Sequence, residues 1–334
     1  MQEARKRRSY VSSALCLLQL APCLLPLLIM QRYILASLTQ ALLVLLGVFV
    51  LVFFMVRLTG DPTAVMLARE AKPEQVAAFR QAMGFDRPLP VQFASFVGNA
   101  LRGDFGRSLH YRTAALPLVL ERLPATLQLA FVALFMAVVI AVPLGLAGGA
   151  RPGSLVDVVG RAIGLFGQTI PAYWLALVMI ILFSVQLRWL PTSGRSGWTS
   201  VIMPAFTLAL PTMGRLVRLT RSSVMEIMGD DFVRSARGKG LTPRTVFYRH
   251  VLRNAAIALV SVIGIQFGYM LGGSVLIENV FAWPGIGRLA FESISIRDFP
   301  LVQAIALFAS VVVILLNFVV DLAYPLIDPR IRYD

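Results

Sequence analysis

Residues 226–255 read EIMGDDFVRSARGKGLTPRTVFYRHVLRNA, and they form the longest strongly charged segment of a chain that is otherwise largely apolar. Long runs of Leu, Val, Ile, Ala and Phe flank this segment, the basic loop, on both sides. A charged segment between two apolar runs that are long enough to cross a bilayer lies in water at a membrane surface. We therefore expect the basic loop to contact something soluble.

The composition indicates an integral membrane protein. Of 334 residues, 57% are hydrophobic and only 14% are charged, which lies outside the range of soluble domains. The net charge of +14 does not indicate nucleic acid as a partner, because a nucleic-acid-binding protein displays its basic face on a polar fold. Here Lys and Arg lie mainly at the ends of apolar runs, where they orient helices and contact lipid headgroups.

Residues 1–32 form an N-terminal extension, with a basic cluster followed by an apolar run. The pattern resembles a signal sequence, but Pro22 is the wrong residue before Cys23 for a lipoprotein cleavage site. Only residues 31–32 would separate a spanning helix here from the next apolar run, which is too short a connection for a helix hairpin. A surface-lying segment, or translation that starts at Met30, fits the pattern better.

The rest of the chain predicts an all-α membrane protein with six transmembrane helices. Residues 57–122 are mixed and polar, which predicts an extracytoplasmic subdomain, and residues 123–334 form a five-helix core with a cytoplasmic loop at 220–254. Basic residues cluster on the side that holds both termini, so the positive-inside rule places the termini and the basic loop in the cytoplasm. The predicted spans are 33–56, 123–150, 158 or 162 to 187, 199–216, 255–277 and 301–320.

The fifth predicted span contains glycines at positions 264, 268, 272 and 273. Small residues at four-residue spacing let two helices approach closely. Two interpretations remain open: packing within one subunit, or a subunit interface or pore lining.

The local sequence of the basic loop predicts a helix, a break and a second helix. Gly238 and Gly240 can end the first helix, because glycine adopts the left-handed conformation at low cost. Thr242 is a favourable N-cap, and Pro243 is a favourable first helical residue. A compact helical element of this kind suits a groove on a soluble protein.

The sequence offers no enzymatic site. A phosphate-binding loop needs Gly-Lys followed by Ser or Thr, whereas Gly238-Lys239 is followed by Gly240. In the predicted topology His110 and His250 lie on opposite sides of the membrane, so they cannot share a metal ion. We therefore expect no catalytic residue, metal or cofactor on this chain.

Several short motifs act together over residues 30–334. They are DFVRSARGKGL at 231–241, RHVLRNA at 249–255, GDP at 60–62, GDFG at 103–106 with Ser108, RLPATL at 122–127, FAWPGIGR at 281–288, RDFP at 297–300 and DPRIR at 328–332. The chain resembles the permeases of the bacterial dipeptide, oligopeptide, nickel and glutathione ABC importer family, and the basic loop resembles their EAA loop. Ala258 departs from that pattern, which often has proline there, and the first thirty residues have no counterpart.

The resemblance implies the type I ABC importer permease fold in the bacterial inner membrane. It implies a pore-forming subunit that pairs with a second, homologous permease, with two cytoplasmic ATPase subunits that use ATP and Mg, and with an extracytoplasmic solute-binding protein. The basic loop would carry the coupling helix that transmits ATPase motion to the spans. The positions that match the ATPase-coupling motif are Ala236, Gly240, Leu241, Arg249, His250, Arg253 and Asn254.

The expected cargo is di- or oligopeptides, and nickel, a metal chelate or glutathione are alternatives that would use the same machinery. An ion-gradient transporter is an alternative of another class. It would ordinarily carry ionisable residues at mid-membrane, but the predicted spans are almost free of them, with Asp321 near a cytoplasmic end. A passive channel or scaffold would give the basic loop no energetic role.

Overall fold

A computed structural model describes residues 37–55 and 86–327, together with positions 35, 74, 77, 78 and 81. These residues are almost wholly helical, and their one extended pairing is an isolated bridge between Arg107 and Ala114. The all-α prediction is confirmed. The predicted extension at 1–32, most of the polar segment at 57–85 and the motif at 328–332 lie outside the described residues.

Eleven helices are named among the described residues. In chain order they are α1 (Ser37–Met55), α2 (Leu89–Leu101), α3 (Ala115–Ala150), α4 (Leu155–Thr169), α5 (Ala172–Met179, continued by the π-helical turns Ile180–Gln186), α6 (Ile202–Gly229), α7 (Asp231–Gly238), α8 (Pro243–Val246, continued by the π-helical turn Phe247–Val251), α9 (Leu252–Val280), α10 (Ile286–Ser295) and α11 (Phe299–Ile327).

Four of the described helices, α1, α3, α6 and α11, are long and apolar enough to cross a membrane. A fifth span results if α4 and α5 are counted as one bent span. Helix α9 covers the predicted span at 255–277 and, at about 1.5 Å per residue, is long enough to cross. The count of six spans stays a prediction.

The predicted continuous span from 158 or 162 to 187 is wrong. Helices α4 and α5 meet at an angle of 107°. The break falls at Ile170, which is extended with ψ 123°, directly before Pro171. Proline has no N–H and disfavours helical backbone at the residue before it, so the helix ends there.

Helix α6 is longer than the predicted span at 199–216. It continues without interruption to Gly229 and carries Arg215 at its middle, with Arg218 and Arg221 after it. Pro211 lies inside it without ending it. One continuous helix therefore joins the core of the protein to the basic loop.

Glycines bring α3 and α4 very close to α6. A Cβ atom added to Gly145 would lie 2.5 Å from Thr220 Cβ, and one added to Gly149 would lie 2.7 Å from Val224 Cβ. On α4, a Cβ atom at Gly167 would lie 2.5 Å from the carbonyl oxygen of Leu210. Real Cβ atoms essentially never approach this closely, so only glycine permits these helix contacts.

The α9 glycines behave differently. An added Cβ atom at Gly272 would meet no heavy atom within 4 Å, and at Gly273 the nearest, Leu208 Cδ1, lies at an ordinary 3.8 Å. Close packing within the chain therefore does not explain these two glycines. The interpretation as a subunit interface or pore lining stays a prediction.

A buried carboxylate organises the connection between α9 and α10. Glu278 is fully buried, and its carboxylate accepts hydrogen bonds from Thr126 Oγ1 at 2.8 Å and the Arg288 backbone N–H at 3.0 Å. Trp283 Nε1 donates to the Ala125 carbonyl at 2.8 Å. These bonds fix the FAWPGIGR segment against α3 at the end of the molecule opposite to the basic loop.

We predict that Gly149→Ala lowers the thermal stability of the purified chain in detergent. The new methyl group would overlap Val224 and the Arg221 carbonyl, and overpacking of this kind costs about 1–3 kcal/mol. The matched control is Gly272→Ala, where the added methyl group has open space. Equal apparent Tm values for the two variants would contradict the close packing of α3 on α6.

Candidate functional site

The basic loop folds as two short helices joined by a tight turn, as its sequence predicts. Helix α7 ends at Gly238, and Gly240 adopts φ +81°. The Gly240 N–H donates to the Arg237 carbonyl at 3.0 Å and the Leu241 N–H donates to the Ala236 carbonyl at 3.3 Å, the pattern of a Schellman motif. The left-handed backbone at Gly240 thus sets the angle between α7 and α8.

The second helix of the loop begins with the predicted cap. The Thr242 hydroxyl oxygen accepts a hydrogen bond from the Thr245 N–H at 3.4 Å, and Pro243 is the first helical residue. After Val246 the helix widens into a π-helical turn, Phe247–Val251, before it continues as α9. Such π-helical turns occur frequently at functional sites.

The underside of the basic loop is an apolar cluster. Its buried members are Val224 of α6 together with Val233, Ala236, Val246, Val251 and Ala255. The half-buried Leu146 of α3 packs against them. The loop is therefore seated on the ends of α3 and α6 rather than suspended from them.

The opposite side of the loop is exposed, aromatic and basic. Phe232, Leu241 and Tyr248 expose 41%, 39% and 66% of their surface. The ion pair between Arg234 and Asp231, 3.7 Å apart, is fully on the surface and contributes little to stability. The exposed cations are Arg234, Arg237, Lys239, Arg244, Arg249 and Arg253.

The structure divides the seven predicted coupling residues into two groups. Ala236 is buried in the apolar cluster, and His250 is half-buried with its ring centroid 6.5 Å from that of Phe232. Asn254 donates from Nδ2 to the His250 carbonyl at 2.8 Å. The group that is exposed comprises Gly240, Leu241, Arg249, Arg253 and Asn254.

An ion pair that sequence reasoning missed links α4 to α6 beside this cluster. Asp157 is 1% exposed and accepts hydrogen bonds from Nε and Nη2 of Arg221 and, at 2.9 Å, from the Gly153 N–H. Ser154, three residues earlier, caps α4. The Ser-x-x-Asp spacing could have predicted the helix start, but nothing local identifies a partner 64 positions away.

The chemistry of the site is that of a docking surface. Within the described residues no group of three or more His, Cys, Asp or Glu side chains could hold a metal ion. Exposed aromatic side chains with surrounding arginines are the composition typical of protein interfaces. Because the loop is seated on α3 and α6, a force applied to its exposed face would reach the helix ends directly.

Comparison with known proteins gives concordant results over most of the chain. Residues 137–333 match the family described as "Binding-protein-dependent transport system inner membrane component". Residues 30–130 match the family described as "Binding-prot-dependent transport system membrane comp, N-term".

Curated relatives match over their whole length. A probable peptide ABC transporter permease protein of Sinorhizobium fredii is 37% identical over 91% of this chain and 100% of the relative. The glutathione transport system permease protein of Salmonella typhi is 39% identical, and that of Escherichia coli K12 is 38% identical, each over 91% of this chain and 100% of the relative.

Two solved structures share the fold at low sequence identity. One is an inward-facing conformation of the MetNI methionine ABC transporter, with TM-score 0.52 and 22% identity over 63% of this chain and 96% of that chain. The other is an amino acid ABC transporter with histidines, with TM-score 0.51 and 19% identity over 62% and 93%. The chain, a multi-pass membrane protein, therefore belongs to the family of binding-protein-dependent transport-system inner membrane components, the permeases of ABC importers.

Proposed function

We propose that this chain forms half of the translocation pathway of an ATP-driven importer of di- or oligopeptides. The name of the Sinorhizobium fredii relative favours a peptide cargo, and the names of the Salmonella and Escherichia relatives favour glutathione, which is itself a small peptide. Nickel or a metal chelate would use the same machinery. Family membership favours ATP-driven import over the ion-gradient transporter and the passive channel.

The observation that carries the proposal is the two-sided construction of the basic loop. Its apolar underside packs on α6 and α3, while its upper side exposes Phe232, Leu241 and Tyr248 among arginines. We assign the exposed side to a groove on a cytoplasmic ATPase subunit. The exposed coupling residues Arg249, Arg253 and Asn254 would meet that subunit, whereas Ala236 and His250 would hold the loop in shape.

The family indicates which subunits of the importer would use ATP. Its members are transport permeases that work with ATPase and solute-binding subunits, so ATP and Mg would be used by the partners and not by this chain. We propose a second, homologous permease as the other half of the pathway, with two ATPase subunits. Both termini and the basic loop would lie in the cytoplasm, and the polar segment at 57–122 would lie outside.

Gly240→Val is expected to abolish most ATP-driven uptake by the reconstituted complex. A β-branched residue at φ +81° is strained by about 1–2 kcal/mol, so the turn would relax and the angle between α7 and α8 would change. Uptake of labelled peptide into proteoliposomes and ATP hydrolysis would be measured in parallel. We expect both uptake and stimulation of ATP hydrolysis by the binding protein to fall several-fold.

Two matched variants separate coupling from folding. Gly240→Asn should retain most activity because asparagine tolerates the left-handed conformation. Gly238→Ala should be neutral because an added Cβ atom meets nothing within 4 Å. Normal uptake by the Gly240→Val complex would contradict the assigned role of the turn.

The proposed orientation predicts opposite labelling of two exposed positions. In a chain whose Cys16 and Cys23 are replaced by serine, Arg102→Cys should react with a membrane-impermeant maleimide in intact spheroplasts. Tyr248→Cys, which is 66% exposed in the basic loop, should react only after lysis. The reverse pattern would refute the topology while leaving the fold intact.

A further inference from the structure

Helix α6 carries an arginine in the middle of a stretch that is long and apolar enough to cross a membrane. Arg215 lies thirteen residues after Ile202, the start of α6, or about 20 Å along the helix at 1.5 Å per residue. The hydrocarbon core of a bilayer is about 30 Å thick. Arg215 is exposed on the surface of the chain although its immediate helical neighbours Gly214 and Leu216 are buried.

The guanidinium of Arg215 cannot favourably face lipid. A charged side chain in the hydrocarbon is costly, and such residues almost always face the bundle interior or a water-filled cavity. The exposed face that Arg215 occupies also includes Tyr269 of α9, which is 66% exposed. This face therefore belongs to a polar pathway or to contact with another protein chain.

The chain holds Arg215 in place with two side chains of α9. Arg215 Nη1 donates to Gln266 Oε1 at 3.1 Å, and the guanidinium carbon lies 5.7 Å from the centroid of the Tyr269 ring. Gln266 is 3% exposed, and its Nε2 has no hydrogen-bond partner among the described residues. Exchanging the oxygen and nitrogen of the Gln266 amide would place its N–H donors against those of the Arg215 guanidinium, so Arg215 fixes the orientation of the Gln266 amide.

Gln266 and Tyr269 position the guanidinium without neutralising it. Gln266 supplies a neutral oxygen and Tyr269 supplies the face of a ring, and within the described residues no carboxylate forms an ion pair with Arg215. Arg221, on the same helix, is by contrast paired with Asp157. Arg215 therefore has donors left for an acceptor from outside the chain, and its fork geometry suits a carboxylate.

We propose that Arg215 is a binding point for the carboxylate of the cargo on the translocation pathway, with Gln266 and Tyr269 as its positioning residues. This inference rests on the proposed function and narrows its substrate class to carboxylate-bearing peptides. A charge-assisted bond to a free carboxylate is stronger than a bond to the corresponding neutral amide. The site thus favours cargo with a free C-terminus over the same cargo with an amidated one.

The test uses the complete complex, with both permeases, ATPase subunits and binding protein, in proteoliposomes. A labelled peptide with a free C-terminus is compared with its C-terminal amide, at concentrations that stimulate ATP hydrolysis equally. For Arg215→Gln we expect uptake of the free peptide per ATP hydrolysed to fall about tenfold, the effect of one charge-assisted contact of roughly 1.4 kcal/mol. Uptake of the amide per ATP should change less than twofold, and Arg215→Lys should recover part of the loss.

The remaining outcomes separate this inference from the proposed function. The carboxylate site would be overturned, and a subunit-contact role shown, by any of three results. These are an equal loss of uptake for both peptides, a loss of ATP hydrolysis, or failure of the Arg215→Gln chain to assemble where the Arg215→Lys chain assembles. No loss for either peptide would overturn it as well. Absence of ATP-driven uptake of both peptides by the unmodified complex would instead contradict the proposed function, and this inference with it.

Discussion

The contact between α3 and α6 is the constraint on which the rest of the structure depends. Gly145 and Gly149 let α3 approach so closely that no side chain larger than hydrogen fits beside Thr220 and Val224. Interiors packed at this distance transmit strain, so the two helices form one closely packed body. Because Val224 also belongs to the apolar cluster under the basic loop, the same contact connects the loop to the core.

The ion pair of Asp157 and Arg221 extends this body to α4. Arg221 lies one turn before Val224, so the loop cluster, α3 and the start of α4 are joined over a short stretch of α6. Removing one partner would leave a largely buried charge uncompensated, which is strongly destabilising. The chain departs from this rigid arrangement at Ile170 and Pro171, where α4 and α5 diverge by 107°. A displacement of the loop would therefore reach α3, α4 and α6 together.

The sequence predicts local features of this protein better than distant contacts. Helix type, the Gly240 turn and the Thr242 cap follow from the residues at those positions, because each depends on groups within a few positions of one another. The pairing of Asp157 with Arg221 and the burial of Glu278 depend on residues far apart in the chain, so no local pattern identifies them. The predicted span from 158 or 162 to 187 is broken in the structure because Pro171 disfavours helical backbone at Ile170, and the prediction took no account of that proline.

Within the candidate site, the motif identified the positions but not their two roles. A buried Ala236 and an exposed Arg249 look alike as matches to a family pattern, and only packing separates the residue that shapes the loop from the residue that is free to meet a partner.

The exposed face of the basic loop is proposed to contact an ATPase subunit, and cross-linking of single cysteines in the assembled complex tests this contact most directly. A cysteine at Tyr248 should cross-link to the ATPase, and a cysteine at Trp198, which is 80% exposed and lies four residues before the start of α6, should not. The proposed contact would be contradicted if the Tyr248 cysteine did not cross-link to the ATPase in an active complex, or if the Tyr248 and Trp198 cysteines cross-linked equally.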